Sequence, residues 1–367
     1  MTVAEPRLIT PRRAPHFRRR LLGWYDRHRR EYPWRRTADS YAVWVSEVML
    51  QQTRTSRVTE YFGPFLQRFP DVQALAAADR QQVLKAWEML GYYARARNLH
   101  TAAMQVVREY GGKVPVKYEQ FRALPGVGDY TAAAVTSIAD GQPRAVVDGN
   151  VKRVLARLLL LDVPVNSASS LPIFQERAAA ILHRGRPGDF NQAMMEFGAR
   201  ICRPHTPCCD ECPVTGYCGA FQTGRQSEFP VRLRRAPTPL RHVAVGIVRR
   251  GEKILITRRA PAGLLGGLWE FPGGGVRNAE SPKQACRREI LEETGLAVEV
   301  EKKLLQVRHA YSHFRIVMNV FLCRYLSGRV KLSGPVDHRW IRPQETGRFP
   351  FPAANHRFLH LLKDLRP

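Results

Sequence analysis

Leu124-Pro125-Gly126-Val127-Gly128-Asp129-Tyr130-Thr131 reads as the turn of a helix-hairpin-helix. Gly126 and Gly128 allow a tight turn, and the helix that follows points its amide N–H groups at an anion such as a DNA phosphate. A Gly-x-Gly hairpin taken alone is also compatible with an ordinary helix connection. About 20 residues further on, Val146-Val147-Asp148-Gly149-Asn150-Val151 puts an acid at the mouth of the next helix. There Asp148 serves either as a plain N-cap or as a charge held ready at a site.

Outward from that hairpin the pattern is helical as far as residue 222. Apolar residues recur at three- and four-residue spacing over 41–69, 79–90, 94–110, 130–139, 151–161 and 169–182, separated by Gly/Pro punctuation. From Arg241 the texture changes. The stretches 243–248, 253–257 and 316–324 are β-branched and apolar at strand length, with one helical pattern over 282–294. Between the two textures, 224–240 carries three prolines and four arginines and reads as a stiff basic linker. The expected organisation is a basic tail over 1–15, an all-α domain over 16–223, the linker over 224–240 and an α/β domain over 241–367.

Charge narrows the partners. The 367 residues carry a formal net charge of +26. The part up to residue 240 holds 35 basic and 21 acidic residues and the remainder 23 and 11, so both halves are strongly positive. Two basic domains suggest that both lie on a polyanion. No run of 18 apolar residues occurs, which excludes a membrane-spanning helix, and the Arg-rich start lacks the apolar core of a signal peptide. A cytoplasmic, nucleoid-associated monomer is expected. Five of the seven cysteines fall between Cys202 and Cys218, a clustering that suggests a metal centre in a reducing compartment rather than a disulfide framework. The set Cys202-x6-Cys209-x2-Cys212-x5-Cys218 admits tetrahedral zinc and a [4Fe–4S] cluster equally by spacing, with Cys208 as a rival ligand beside Cys209.

The hairpin, Asp148 and the cysteine set together resemble the endonuclease III superfamily of DNA glycosylases, over nearly all of 16–222. Within it, Trp44-Val45-Ser46-Glu47-Val48-Met49-Leu50-Gln51-Gln52-Thr53, Gly91-Tyr92-Tyr93 and the stretch 147–157 look like the adenine glycosylase branch. The resemblance implies a [4Fe–4S] cluster on Cys202, Cys209, Cys212 and Cys218, and duplex DNA with adenine opposite 8-oxoguanine or guanine as substrate. It also implies hydrolysis of the adenine N-glycosidic bond.

The residues suit that chemistry. Adenine leaves poorly until N7 is protonated, which calls for an acid still protonated near neutral pH. Glu47 shares a helix face with Val43, Trp44 and Leu50, and that apolar face should raise its carboxyl above the ordinary value of roughly 4.3. Glu47 is therefore the expected general acid. Departure of the base leaves an oxocarbenium-like sugar, whose charge Asp148 would offset. By resemblance Asn150 orients the Asp148 region, Tyr130 lies beside the pair, and Gln192 meets the polar edge of the flipped adenine, where an amide can pair bidentately. Gln52 and Tyr92 match the residues that fill the gap left in the base stack. Bifunctional relatives carry lysine at position 130 to form a Schiff base with the sugar; Tyr130 cannot, so base removal without strand cleavage is expected.

In the C-terminal half, Gly274-x5-Glu280-x7-Arg288-Glu289-Ile290-Leu291-Glu292-Glu293-Thr294-Gly295-Leu296 matches the Nudix box at every defined position. In MutY proteins such a domain reads 8-oxoguanine, and its box is usually eroded; here it is complete. The loop Tyr311-Ser312-His313 stands in the position by which the family recognises the oxidised base. Glu289, Glu292 and Glu293 share one helix face, where Mg²⁺ could bridge them or Arg288 neutralise them. A glycosylase/lyase acting on oxidised pyrimidines, and a Nudix hydrolase fused to a DNA-binding module, are the rival readings. The first lacks its lysine at position 130, and the second leaves the Glu47–Asp148 pair without a purpose.

Overall fold

The computed structural model describes residues 9–10, 12–234 and 236–364, with 363 and 364 by backbone alone. Most of the basic tail expected over 1–15 lies outside the described residues. The helical part comprises α1 (Ala14–His28), α2 (Ser40–Leu50), α3 (Thr55–Arg68), α4 (Val72–Ala77), α5 (Arg80–Ala86) and α6 (Ala94–Tyr110). It continues through α7 (Tyr118–Arg122), α8 (Asp129–Ala139), α9 (Gly149–Leu159), α10 (Leu171–Ile181), α11 (Pro187–Arg200) and α12 (Gly219–Gln222). Carboxylates start three of these helices. Asp39 accepts from the Ala42 amide, Asp79 from that of Gln81 and Asp148 from that of Val151, each satisfying a donor the first turn leaves unpaired.

The 41–69 period, expected as one helix, is two. The chain breaks after Leu50 because Gln52 takes a left-handed backbone (φ 60°) and Arg54 an extended one. No glycine or proline marks that break, so periodicity alone could not find it. One helical core gathers Phe17 and Leu21 from α1, Val154 and Leu155 from α9, Phe174 from α10 and Phe190 and Phe197 from α11, all buried.

The chain separates into two compact units that do not follow sequence order. Ala77–His100 groups with Ala236–Pro367, whereas Met1–Ala76 groups with Thr101–Arg235. Hydrogen bonds explain the first grouping. The Trp269 indole donates to Gln81 (2.9 Å), Arg97 donates to the Gly266 carbonyl (2.9 Å) and the Phe351 amide donates to buried Glu88 (2.8 Å). Helical spacing reports helices over 79–90 and 94–110, but not which core their side chains join.

The C-terminal unit is a mixed sheet of β1 (Leu240–Arg250), β2 (Lys253–Arg258), β3 (Trp269–Glu270), β4 (Gly273–Gly275), β5 (Ala297–Ala310), β6 (Arg315–Ser327) and β7 (Asp337–Ile341). The main order is β3-β2-β1-β6-β5, with β4 paired to β1 and β7 to β2. β1 and β6 run parallel through ten residue pairs from Leu240/Arg315 to Arg249/Arg324, which form the centre of the sheet. The helix α13 (Pro282–Thr294) opens on a Ser281/Gln284 capping box and ends at Gly295 with φ 69°, matching its expected bounds. It buries Ala285, Cys286 and Ile290 against one face of the sheet, while Phe351 and Phe358 cover the other. β5 escapes the sequence pattern because it carries Glu299, Glu301, Lys302 and Lys303 on an edge paired only with β6. An edge strand can keep such charges in water. The expected succession of an all-α part and an α/β part is the one the chain adopts.

Candidate active site

α2, α8, α9 and α11 all present polar side chains to a common pocket. It has a volume of about 200 Å³, and its lining includes Glu47, Tyr130, Asp148, Asn150 and Gln192. α2 is apolar nearly all round, and its residues from Tyr41 to Met49 are buried. Glu47 is therefore an acid inside a hydrophobic helix, only 4% exposed. Burial pushes its carboxyl up to about 7, and nearby Asp148 adds to the rise, while the Tyr130 hydrogen bond and Arg35 oppose it. Tyr130 donates to Glu47 Oε2 at 2.7 Å, so the proton of a neutral Glu47 belongs on Oε1.

Asp148 lies in a different setting. Its Oδ1 accepts from the Val151 amide at 2.6 Å and its Oδ2 from the Asn150 side-chain amide at 2.9 Å. Burial raises its carboxyl from the ordinary aspartate value, but those donors and the charge of Arg153 favour the anion. The N-cap role is the one the structure shows for Asp148, and the helix N-terminus it caps also favours its charged form. Asn150 is fixed in turn by Arg153, which donates to its Oδ1 at 2.9 Å and to the carbonyls of Gly198 and Cys202. A Cβ on Gly198 would stand 2.7 Å from that of Asn150, so α11 can approach the loop only with glycine there.

Sequence reasoning missed the opposite wall. Glu196 lies one turn beyond Gln192 on α11, lines the same pocket and is buried. Arg30 and Arg35 pair with it, holding its carboxyl below the usual range although burial alone would raise it. The available signal was the i, i+4 spacing of Gln192 and Glu196; nothing along the chain pairs Arg30 and Arg35 with it.

The hairpin forms from α7 and α8. Gly126 has φ 76° and requires glycine; Gly128 is extended (φ −93°, ψ 175°) and is the N-cap of α8. Only Gly126 is thus needed for the turn conformation, while Gly128 leaves open space over the helix amides. Asp129, an acid where an anion is expected, is neutralised by Arg122 at 2.6 Å. Gln52 and Tyr92 are both non-glycine residues at positive φ (60° and 47°), and both are exposed. Such backbone persists only where surrounding contacts hold it. At Tyr92 the Trp87 indole and Arg95 both donate to the Gly91 carbonyl, and the Arg95 guanidinium sits over the Tyr92 ring.

Tyr311, Ser312 and His313 occupy the turn between β5 and β6. Tyr311 is packed inward against His309 and Phe314, with ring centroids 4.6 and 5.0 Å away, while Ser312 and His313 are exposed. The Ser312 hydroxyl is hydrogen-bonded to that of Tyr92, in the same compact unit.

Cys202, Cys209, Cys212 and Cys218 line one cavity, together with Cys208 and apolar side chains such as Val154, Phe197 and Val214. Burial raises the thiols of Cys209, Cys212 and Cys218, the last two to about 12 and about 11. Arg157, fully buried, donates to Cys202 Sγ at 3.4 Å and to the carbonyls of Arg203 and Pro204, stitching this loop to α9. Cys208 accepts instead from Arg203 at 2.8 Å. Among the described residues, no three His, Cys, Asp or Glu side chains stand close enough to hold a single metal ion.

The same holds for the carboxylates of the Nudix box. Arg288 pairs with Glu280 (2.6 Å), Glu289 (2.7 Å) and Glu292 (2.9 Å), and Glu293 accepts from the Gly273 amide at 3.0 Å. Burial pushes the Glu293 carboxyl up to about 7.

Residues 45–168 match the family model of the HhH-GPD superfamily base excision DNA repair protein, and residues 243–361 match that of the NUDIX domain. The chain is 35% identical over 389 residues to an adenine DNA glycosylase of Homo sapiens, spanning 90% of this chain and 70% of that protein. Among solved structures, a thermostable thymine-DNA glycosylase superposes with a TM-score of 0.54 at 29% identity, over 58% of this chain and 98% of the other. Endonuclease III in a non-covalent DNA complex shares the fold, with a TM-score of 0.51 at 22% identity over 59% and 99% of the two chains.

Proposed function

The chain belongs to the adenine DNA glycosylase family, and from that premise we propose that it hydrolyses the N-glycosidic bond of adenine mispaired with 8-oxoguanine or guanine. The observation that carries this reading is a neutral-prone carboxyl, Glu47, and an anion-supporting one, Asp148, on the walls of one pocket. Glu47 delivers a proton to the departing adenine at N7, and burial keeps that proton in place near neutral pH. Asp148, fixed by Asn150 and the α9 amides, offsets the positive charge that develops on the sugar. Tyr130 orients Glu47, and Gln192 meets the polar edge of the extruded base. With no amine at position 130, the strand remains intact.

Gly126 and Gly128 form the phosphate-gripping hairpin in this reading, and Gln52 and Tyr92 fill the vacated stack. The hydroxyl contact between Tyr92 and Ser312 supports a single reading head in which Tyr311 packs the turn and Ser312 and His313 face the oxidised base. Four thiols lining one largely apolar cavity suit a [4Fe–4S] cluster on Cys202, Cys209, Cys212 and Cys218. When bound, that cluster would tie together the basic loop between α11 and α12. Mg²⁺ at Glu289, Glu292 and Glu293 would have to displace Arg288, so the Nudix box serves here as a loop–helix staple. Action on chromosomal DNA as a monomer in the cytoplasm fits the basic charge of both halves.

Incubation with duplexes bearing adenine opposite 8-oxoguanine, guanine, cytosine or thymine, followed by alkali, tests the whole reading. Adenine release should occur with the first two, scission should require alkali, and Ser312→Ala should lose more with 8-oxoguanine than with guanine. Scission before alkali, or release indifferent to the opposing base, would overturn it.

A further inference from the structure

Glu196 has no part in the chemistry just described, yet it is the most enclosed carboxylate in the pocket's ion-pair network. Its side chain is 1% exposed. Arg30 donates to it through Nε at 2.6 Å and Nη2 at 3.2 Å, and Arg35 through Nη2 at 3.0 Å. Arg200 lies further off, at 3.9 Å. Arg35 also donates to the Arg30 carbonyl at 2.8 Å, and its guanidinium sits over the rings of Tyr25 and Tyr32. Two cations are thus fixed side by side on the wall of the pocket that holds Glu47. An unpaired carboxylate at this depth would be strongly unfavourable, and two unpaired guanidiniums no less so.

We propose that Glu196 is a positioning residue for base excision, which fixes Arg30 and Arg35 on the pocket wall and balances their charge so that Glu47 keeps its proton. This inference rests on the reading of Glu47 as the general acid. The charged and titratable groups lining the pocket with Glu47 are Tyr130 from α8, Asp148 at the start of α9, Arg30, Tyr32 and Arg35 from the segment after α1, and Glu196 from α11. Tyr130 and Arg35 favour the ionised form of Glu47, and Asp148 disfavours it. Glu196 bears on Glu47 through Arg35, whose positive charge it offsets. Without Glu196 the Arg35 guanidinium would act on Glu47 uncompensated, and the acid would release its proton at lower pH.

The experiment is the pH profile of adenine release by the full chain, under single-turnover conditions with subsaturating DNA. Its readout is the position of the alkaline limb rather than its height. The wild type should lose activity as pH rises through the Glu47 range. Glu196→Gln should move that limb down by about one pH unit, a roughly tenfold loss on its alkaline side. Arg35→Gln should move it up, and the double variant, which restores the original net charge, should return it to the wild-type position. Glu196→Asp keeps the charge and should keep the limb even where the rate falls. A limb unmoved in Glu196→Gln, or a double variant that fails to return, would overturn the role of Glu196. If Glu196→Gln does not fold, an unmoved limb in Arg35→Gln overturns it equally. An alkaline limb retained in Glu47→Gln would instead overturn the assignment of Glu47 itself.

Discussion

Glu47→Gln is expected to abolish adenine release and, in the same stroke, to stabilise the folded chain at neutral and alkaline pH. Burial raises the Glu47 carboxyl to about 7 from an ordinary value of 4.5. Between those values the folded chain retains a proton that the unfolded chain has already released. Stability therefore falls as pH rises through the window. The window spans about 2.5 units at about 1.36 kcal/mol each, so by about pH 8 the acid costs about 3 kcal/mol relative to a neutral residue of the same shape. Glutamine has that shape, can still accept from the Tyr130 hydroxyl, and never ionises. At about 2–4 °C per kcal/mol for a unit of this size, the thermal midpoint should rise by roughly 6–12 °C at alkaline pH. The gain should vanish near pH 4.5, where the carboxyl is largely neutral in the folded chain. Thermal unfolding followed by circular dichroism at both ends of the window, with release assayed in parallel, measures both effects. A stability difference of equal size at both pH values would place its cause in packing and refute the argument from ionisation. Retained release would refute the role in proton transfer. The exchange of stability for function at such a position is a common property of active sites.

Two further outcomes follow from the same geometry. Tyr130→Phe removes a 2.7 Å donor that favours the ionised form of Glu47, so the alkaline limb of the pH–rate profile should move up by about 1–2 units; a limb that stays or moves down would show that this hydrogen bond does not set the acid's strength. Protein purified without oxygen should contain about four irons per chain, and Cys212→Ser should lose them, as quantified by metal analysis; a zinc-loaded preparation would return the cysteine set to a tetrahedral ion.

The amino-acid sequence by itself determined those parts of this protein that depend on neighbours along the chain. The turn at Gly126, the cap at Asp148 and the extent of α13 are local matters, settled by backbone preference and hydrogen bonds within one or two turns. Glu47 was legible for a related reason: one helical period showed an acid on an apolar face, and burial of that face follows from the hydrophobic effect. The break at Gln52 was not legible, because a left-handed residue without glycine is held by its surroundings rather than by its own preference. β5 was hidden by charges that only an edge position tolerates. Tertiary structure alone decided that 77–100 joins the C-terminal unit, because Glu88 and Gln81 find their partners more than 180 residues away. It alone decided that Glu196 meets Arg30 and Arg35 across more than 160 residues. Charges in a sequence report what a chain can pair with; which charges lose their water, and against which partner, is fixed only when the helices pack.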